Sequence, residues 1–386
     1  MKLKILNLTG HALKDSRGEY EYNLCKHLEE EGIEVFDLAL YGNNSHYCKN
    51  VKMAKKPLKI LPLKFGNFFS PSIINEMKKQ YDVIHVHGAF WSPIPMQVII
   101  WKKLFRIKSP LIMTTHAFIP DKQKMFLASL WYALTHASPS MILNGIKCLP
   151  YRRVDKIICQ TKLEKEFIIK EFKIKEEKII VISNGIDLNR FSNITYDFKK
   201  KFDLQNKFTV LYVGQIIELK GLIYLLKAIK ILKDQNIICS LIIATYTKHH
   251  KIMDDAKSIG IEKDVKVFLD LKEEDLISAY RGCDVFVLPS LNESFPTVLL
   301  EAMGSQKPVI TTNIGGIPEL IKNEFNGILI EPKNPNAIAE KILKIYLDHQ
   351  MKEKLSQNGY TDVITKYSWK VIIKKIIKQY ENLKNS

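Results

Sequence analysis

The stretch that most constrains the fold is Val285 to Glu301, VFVLPSLNESFPTVLLE. Val285 to Leu288 is a continuous apolar run of strand length, ended by turn chemistry at Pro289, Ser290 and Asn292. A loop carrying Glu293 follows, and then the spacing changes. From Pro296 it predicts a helix, with the proline at the first helical position, Ser294 as its cap, and Val298, Glu301, Ala302 and Ser305 recurring at helical spacing. Such a helix start leaves the backbone N–H groups of Thr297 and Val298 unpaired, with the dipole favouring an anion. Glu293 and Glu301 flank that point, and a carboxylate accepts from two vicinal hydroxyls at once. Phosphate held between two hydroxyl binders suggests a nucleotide sugar. A solvated loop glutamate and a helix glutamate paired with a lysine would read the same on these residues alone.

The same strand-then-helix unit recurs along the chain. Leu3 to Leu8 reads as a strand apolar on both faces, as in a parallel sheet. A helix from near Gly18 carries Tyr22, Cys25 and Leu28, and Val35 to Leu40 is the next strand, giving a Rossmann-like βαβ order. Gly42 to Pro62 reads as loop. Val83 to Val86 carries His85, with His87 just beyond; two alternate histidines could ligate a metal, but no third ligand is expected nearby, and a crevice edge is the preferred reading. Leu111 to Thr115 delivers His116 to the carboxyl end of the sheet, where open parallel sheets bind ligands. Ile157 to Thr161 and Ile179 to Ile182 are further strands. The second half starts again at Val210 to Val213, and Lys220-Gly221 opens a helix where the lysine could reach phosphate as a point charge. Strands at Leu241 to Thr245, Val265 to Leu269, Val309 to Thr312 and Ile328 to Ile330 complete that half.

Composition narrows the class. At 386 residues and 46% hydrophobic content the chain can bury two cores. Its six cysteines are scattered without a C-x-x-C pair, so they read as reduced core residues and point to the cytoplasm. No signal peptide and no run near 18 apolar residues is apparent. A net charge of +17 admits an anionic substrate, an anionic membrane or nucleic acid, but the lysines are dispersed and no nucleic-acid motif occurs. The basic, aromatic segment Pro95 to Ile107 could dock on anionic lipid through Trp101 and Phe105, or pack on the sheet with snorkelling lysines. Phe126 to Met141 adds a second apolar, aromatic stretch.

Beyond Glu301 the chain continues Ala302-Met303-Gly304, then Gly315-Gly316-Ile317-Pro318-Glu319. Together with Glu293 and Glu301 this resembles the donor-site signature of glycosyltransferase family 4, retaining enzymes with a Glu, seven residues, Glu motif. The resemblance extends over nearly the whole chain. It implies an α/β GT-B fold: two Rossmann-like domains facing across a cleft, an acceptor domain over residues 1–185, a donor domain over 186–368, and a closing helix over 369–386 that crosses back to the first. Ser183-Asn184-Gly185-Ile186-Asp187 is similar to the family's interdomain link, and Tyr367-Ser368-Trp369 to its closing helix.

By the same resemblance, His116, Glu293 and Lys220 are the catalytic set. Glu301 holds the ribose, Glu293 and His116 the transferred sugar, and Gln215, Gly18, Arg17, Phe295, Pro296, Thr297 and Val298 complete the donor site. Two positions depart from the family pattern: its arginine after the V-G turn is Gln215 here, and the first of its paired glycines is Arg17, which could restore the missing cation. Family glycines are also replaced at Ala244-Thr245 and Asp270, which leaves the base open. No Asp-x-Asp occurs, so no metal or other cofactor is expected. The implied function is transfer of a sugar from a UDP- or GDP-type donor to a glycan, lipid-linked or small-molecule acceptor, in the cytoplasm or at the inner face of the membrane. A GT-B nucleotide-sugar epimerase, or a noncatalytic basic module binding membrane or nucleic acid, are the competing readings.

Overall fold

The computed structural model describes residues 2–12, 20–42, 51–53, 70–88, 93–116, 149–191, 196–205, 207–247 and 250–386. Arg17, Gly18 and the stretch Phe126 to Met141 lie outside them. Contacts divide the chain into two units, Met1–Asn184 with Trp369–Ser386, and Gly185–Ser368.

The first unit holds a seven-stranded parallel sheet: β1 (Lys4–Ala12), β2 (Glu34–Gly42), β3 (Val51–Met53), β4 (Val83–His87), β5 (Leu111–Thr114), β6 (Lys156–Cys159) and β7 (Ile179–Val181), in the order β3-β2-β1-β4-β5-β6-β7. Its strands are near-continuous apolar runs because both faces are covered. On one face Ile5, Val35, Val83 and Ile112 pack under the helix Tyr20–Glu30 and the closing helix Trp369–Lys384, which contributes Ile372, Ile376 and Tyr380. On the other, Leu6, Ile84 and Met113 meet Ile73, Val98 and Ile168. β3 corrects the reading of Gly42 to Pro62 as loop throughout. It pairs with Asp37–Ala39 at the sheet edge, and three residues are too few to show a period.

The second unit repeats the plan with six strands, β8 (Phe208–Val213), β9 (Cys239–Thr245), β10 (Val265–Leu269), β11 (Val285–Leu288), β12 (Val309–Thr312) and β13 (Ile328–Ile330), ordered β10-β9-β8-β11-β12-β13. All four residues of β11 are buried, each such side chain worth roughly 1.5–3 kcal/mol against exposure. The order reverses between β8 and β11, the switch point at whose carboxyl end such sheets bind ligands. In the first unit the reversal falls between β1 and β4.

Two local expectations are corrected. The helix after β11 is Thr297–Gly304, with Pro296 as its N-cap in extended conformation and no side-chain cap bond, so Pro296 is not its first residue and Ser294 does not cap it. Lys220 lies in a short 3-10 turn, Glu218–Lys220, and the helix Leu222–Asp234 begins only after Gly221.

Candidate active site

In the second unit, the loops leaving β8 and β11 are tied together. Leu291 N–H donates to the Leu219 carbonyl at 2.7 Å, and Gly221 sits at φ +64°, where a Cβ would come within 2.1 Å of the Pro289 carbonyl oxygen. Only glycine allows that approach. The closure brings Lys220 Nζ to 2.6 Å from Glu293 Oε1, which also accepts from Ser290 Oγ at 2.7 Å. Glu293 is 9% exposed. Its backbone is pinned by the next loop: Gly316 N–H donates to its carbonyl at 3.3 Å, and Gly315, at φ +53°, would drive a Cβ to within 1.9 Å of that oxygen.

Glu301 lies one turn into the Thr297–Gly304 helix and is buried. Tyr280 donates its hydroxyl to Oε2 at 2.7 Å, and Arg190 Nη1 stands 3.4 Å from Oε1 while its Nε binds Glu273 at 2.6 Å. Burial and the adjacent Glu301 carboxylate push the Tyr280 phenol far above its usual range, so it stays a donor. Desolvation works against the Arg190 charge, but Glu301 and Glu273 more than offset it. Phe295 and Pro296 are buried, Thr297 and Val298 half-buried at the helix start, and Gln215 half-buried after β8, its carbonyl accepting from Tyr212 at 2.7 Å. Sequence reasoning missed Ser290, Tyr280 and Arg190. The last stands three residues after Asp187 of the Asn-Gly-Ile-Asp run, and nothing in that local sequence ties it to Glu301.

His116 belongs to the first unit, two residues beyond β5. Here the structure corrects the view that the alternate histidines lack a nearby third group. His116 Nε2 stands 3.0 Å from His87 Nδ1 and 3.5 Å from Glu21 Oε1, and the three ligand atoms lie within 4.8 Å of one another. His87 Nε2 meets Asn7 Oδ1 at 2.7 Å, and Asn7 Nδ2 donates to Asp37 at 2.8 Å. His85 bonds the Tyr380 hydroxyl at 2.6 Å and Thr114 Oγ1 at 2.7 Å. Burial keeps all three imidazoles neutral: His85 is pushed down to about 3, His87 well below its ordinary value, and His116 below it against the pull of Glu21. Sequence reasoning missed Asn7 and Asp37, whose one mark is to be a polar residue within an otherwise apolar strand.

In the described part of the segment Pro95 to Ile107, the helix Pro93–Leu104 turns Trp101 toward the core, whereas Ile100, Leu104 and Phe105 are exposed and Lys78 covers the Phe105 ring at 4.2 Å. Trp101 is therefore not a surface-docking residue. Among the described residues no helix is long and apolar enough to cross a membrane.

Comparison with known proteins assigns both halves. Residues 18–190 match the Glycosyltransferase Family 4 model and residues 194–362 the Glycosyl transferases group 1 model. An uncharacterized glycosyltransferase of Methanocaldococcus jannaschii is 32% identical over 64% of this chain, and the match spans 65% of that protein's length. The UDP-Gal:alpha-D-GlcNAc-diphosphoundecaprenol alpha-1,3-galactosyltransferase of Escherichia coli is 26% identical over 86% of this chain and 80% of its own. The fold is that of Anabaena HepE, solved with UDP, at a TM-score of 0.78 and 18% identity over 98% of this chain and 100% of that one. With two Rossmann-like units of the GT-B class and a matching model over each half, the chain belongs to glycosyltransferase family 4.

Proposed function

We propose that this chain is a retaining glycosyltransferase that moves a hexosyl group from a UDP- or GDP-type donor to a glycan or lipid-linked acceptor. The observation that carries the reading is the Lys220–Glu293 pair at the switch point of the second sheet, in the loop that leads into the helix bearing Glu301. An ammonium has three hydrogens, so Lys220 can hold Glu293 and a diphosphate oxygen together, stabilising charge that grows as the donor bond breaks. Glu293, fixed by Ser290 and the Gly315-Gly316 backbone, would orient the sugar. A carboxylate has about four acceptor positions, so Glu301 retains capacity for ribose hydroxyls beside Tyr280 and Arg190.

The catalytic charge in this scheme comes from Lys220 and the N-terminus of the Thr297–Gly304 helix, and the reaction proceeds without a metal. Supporting a lipid-linked acceptor are the diphosphoundecaprenol-linked substrate of the Escherichia coli relative and the exposed Ile100, Leu104 and Phe105 beside Lys78, Lys103 and Arg106. Each basic residue near an anionic surface adds about 1 kcal/mol, screened by salt. Localisation at the inner face of the cytoplasmic membrane follows from that acceptor.

The test is a transfer assay with UDP- and GDP-sugars and polyprenyl-linked acceptors, run with and without excess EDTA. Transfer with the donor's anomeric configuration preserved, and unaffected by EDTA, is expected. No transfer from any donor, or isomerisation of the nucleotide sugar without an acceptor, would overturn it.

A further inference from the structure

The polar groups along the first sheet form a chain in which each hydrogen has one possible direction. Asp37, a carboxylate, only accepts, so the Asn7 atom 2.8 Å from it is the amide nitrogen. That turns the Asn7 carbonyl oxygen to His87 Nε2 at 2.7 Å, and an amide oxygen also only accepts. The hydrogen of neutral His87 is therefore on Nε2, and its Nδ1 carries a lone pair. Facing that lone pair at 3.0 Å is His116 Nε2, which must be the donor. The ring planes differ by 24° and their centroids are 5.3 Å apart, a separation equal to the nitrogen–nitrogen distance plus the two ring radii. Both nitrogens thus lie on the line joining the rings, the arrangement of an N–H···N bond.

The same geometry argues against a metal among Glu21, His87 and His116. Imidazoles that share a metal aim their lone pairs at a third point. These two aim at each other. On the far side of His116, Nδ1 is only weakly engaged: the Gln160 amide nitrogen stands 3.4 Å away and donates at 2.7 Å to Asn184 Oδ1.

We propose that Asp37, Asn7 and His87 are positioning residues that fix His116 in its Nε2–H tautomer, leaving Nδ1 to meet the transferred sugar only as an acceptor. His116 then selects a hydroxyl at that position and disfavours a carboxylate or carbonyl. The tautomer stands on the hydrogen-bond geometry and on the burial that keeps His87 and His116 neutral; the sugar contact rests on the function proposed above and on the role the family resemblance gives His116.

Nitrogen-15 NMR of histidine-labelled full-length protein, assigned by loss of the His116 signals in His116→Gln, reads the tautomer directly. The expected result is a protonated Nε2 and an unprotonated Nδ1. Asp37→Asn frees the Asn7 amide to turn over and should mix the two forms; should that variant not fold, His87→Phe removes the nearer acceptor, leaving Glu21 Oε1 at 3.5 Å, and should mix them in part. Turnover in either variant should fall between about tenfold and a hundredfold, the scale of a misplaced catalytic group, with the donor KM little changed. A proton on Nδ1, or a single tautomer surviving both substitutions, would overturn the relay whether or not the protein transfers sugar. A relay that behaves as expected while turnover stays constant would overturn the sugar contact alone, and failure of the transfer assay with an intact relay would count against the proposed function only.

Discussion

The two units bury polar groups in opposite ways. In the first, three histidines are desolvated and neutral, and His87 and His116 are joined by a hydrogen bond of fixed direction. In the second, Lys220 with Glu293, and Arg190 with Glu273 and Glu301, are kept as charged partners. A neutral chain can orient a polar substrate without drawing anions, whereas a charged pair holds field strength ready where a leaving group acquires charge.

The largest expected effect is on the charged side. Lys220→Met leaves Glu293 buried without its cation and removes the proposed leaving-group stabiliser, so turnover should fall by about 10²–10³. Steady-state kinetics checks this, and a variant as active as the parent would break the contrast. Next is backbone closure. Gly315→Ala puts a Cβ against the Glu293 carbonyl at a left-handed φ, and should cost about 1–3 kcal/mol of stability in denaturant melts, with donor binding weakened in step.

The neutral side is exposed by acid. His85 is held near 3 in the folded chain against an ordinary 6.5, so between those values the unfolded chain binds the extra proton. Stability from this group is full above pH 6.5 and is lost progressively as pH falls toward 3. Among the described residues the groups facing His85 are His87, His116, Tyr380 and Thr114, and none of these is a carboxylate that would offset the effect. Protection of the β4 amides, corrected for the intrinsic exchange rate at each pH, should fall between pH 6.5 and 5, where ordinary carboxylates remain ionised, before that of β11 does. Equal loss of protection in both strands would remove the distinction. The smallest effect is Tyr280→Phe, which takes one hydrogen bond from Glu301 and should weaken donor binding by about 0.5–1.5 kcal/mol in calorimetry.

Much of this was legible in the sequence. Strands such as Val285 to Leu288 are uninterrupted apolar runs, and the loop and helix after them place Glu293 and Glu301 at fixed offsets, so the second site could be read from local spacing. Partners from distant segments could not: Arg190 and Tyr280 reach Glu301 from 111 and 21 residues away, and nothing local marks them as its neighbours. The histidine chain was visible only as an His-x-His fragment, because Asn7 and Asp37 join it through sheet pairing with β4 and β1, which period and propensity do not specify. The Pro296 and Ser294 assignments failed for a local reason: proline's φ suits the extended cap position as well as the first helical turn.

The proposed function requires the second unit to hold a nucleoside diphosphate through Glu301. Isothermal calorimetry of the full chain with UDP and GDP, repeated on Glu301→Gln, tests it most directly. Binding of one diphosphate without added metal, weakened in the variant by about 1.5–3 kcal/mol through loss of a charged hydrogen bond, is the predicted result. Binding of neither nucleotide by the parent, or equal affinity in parent and variant, would contradict it.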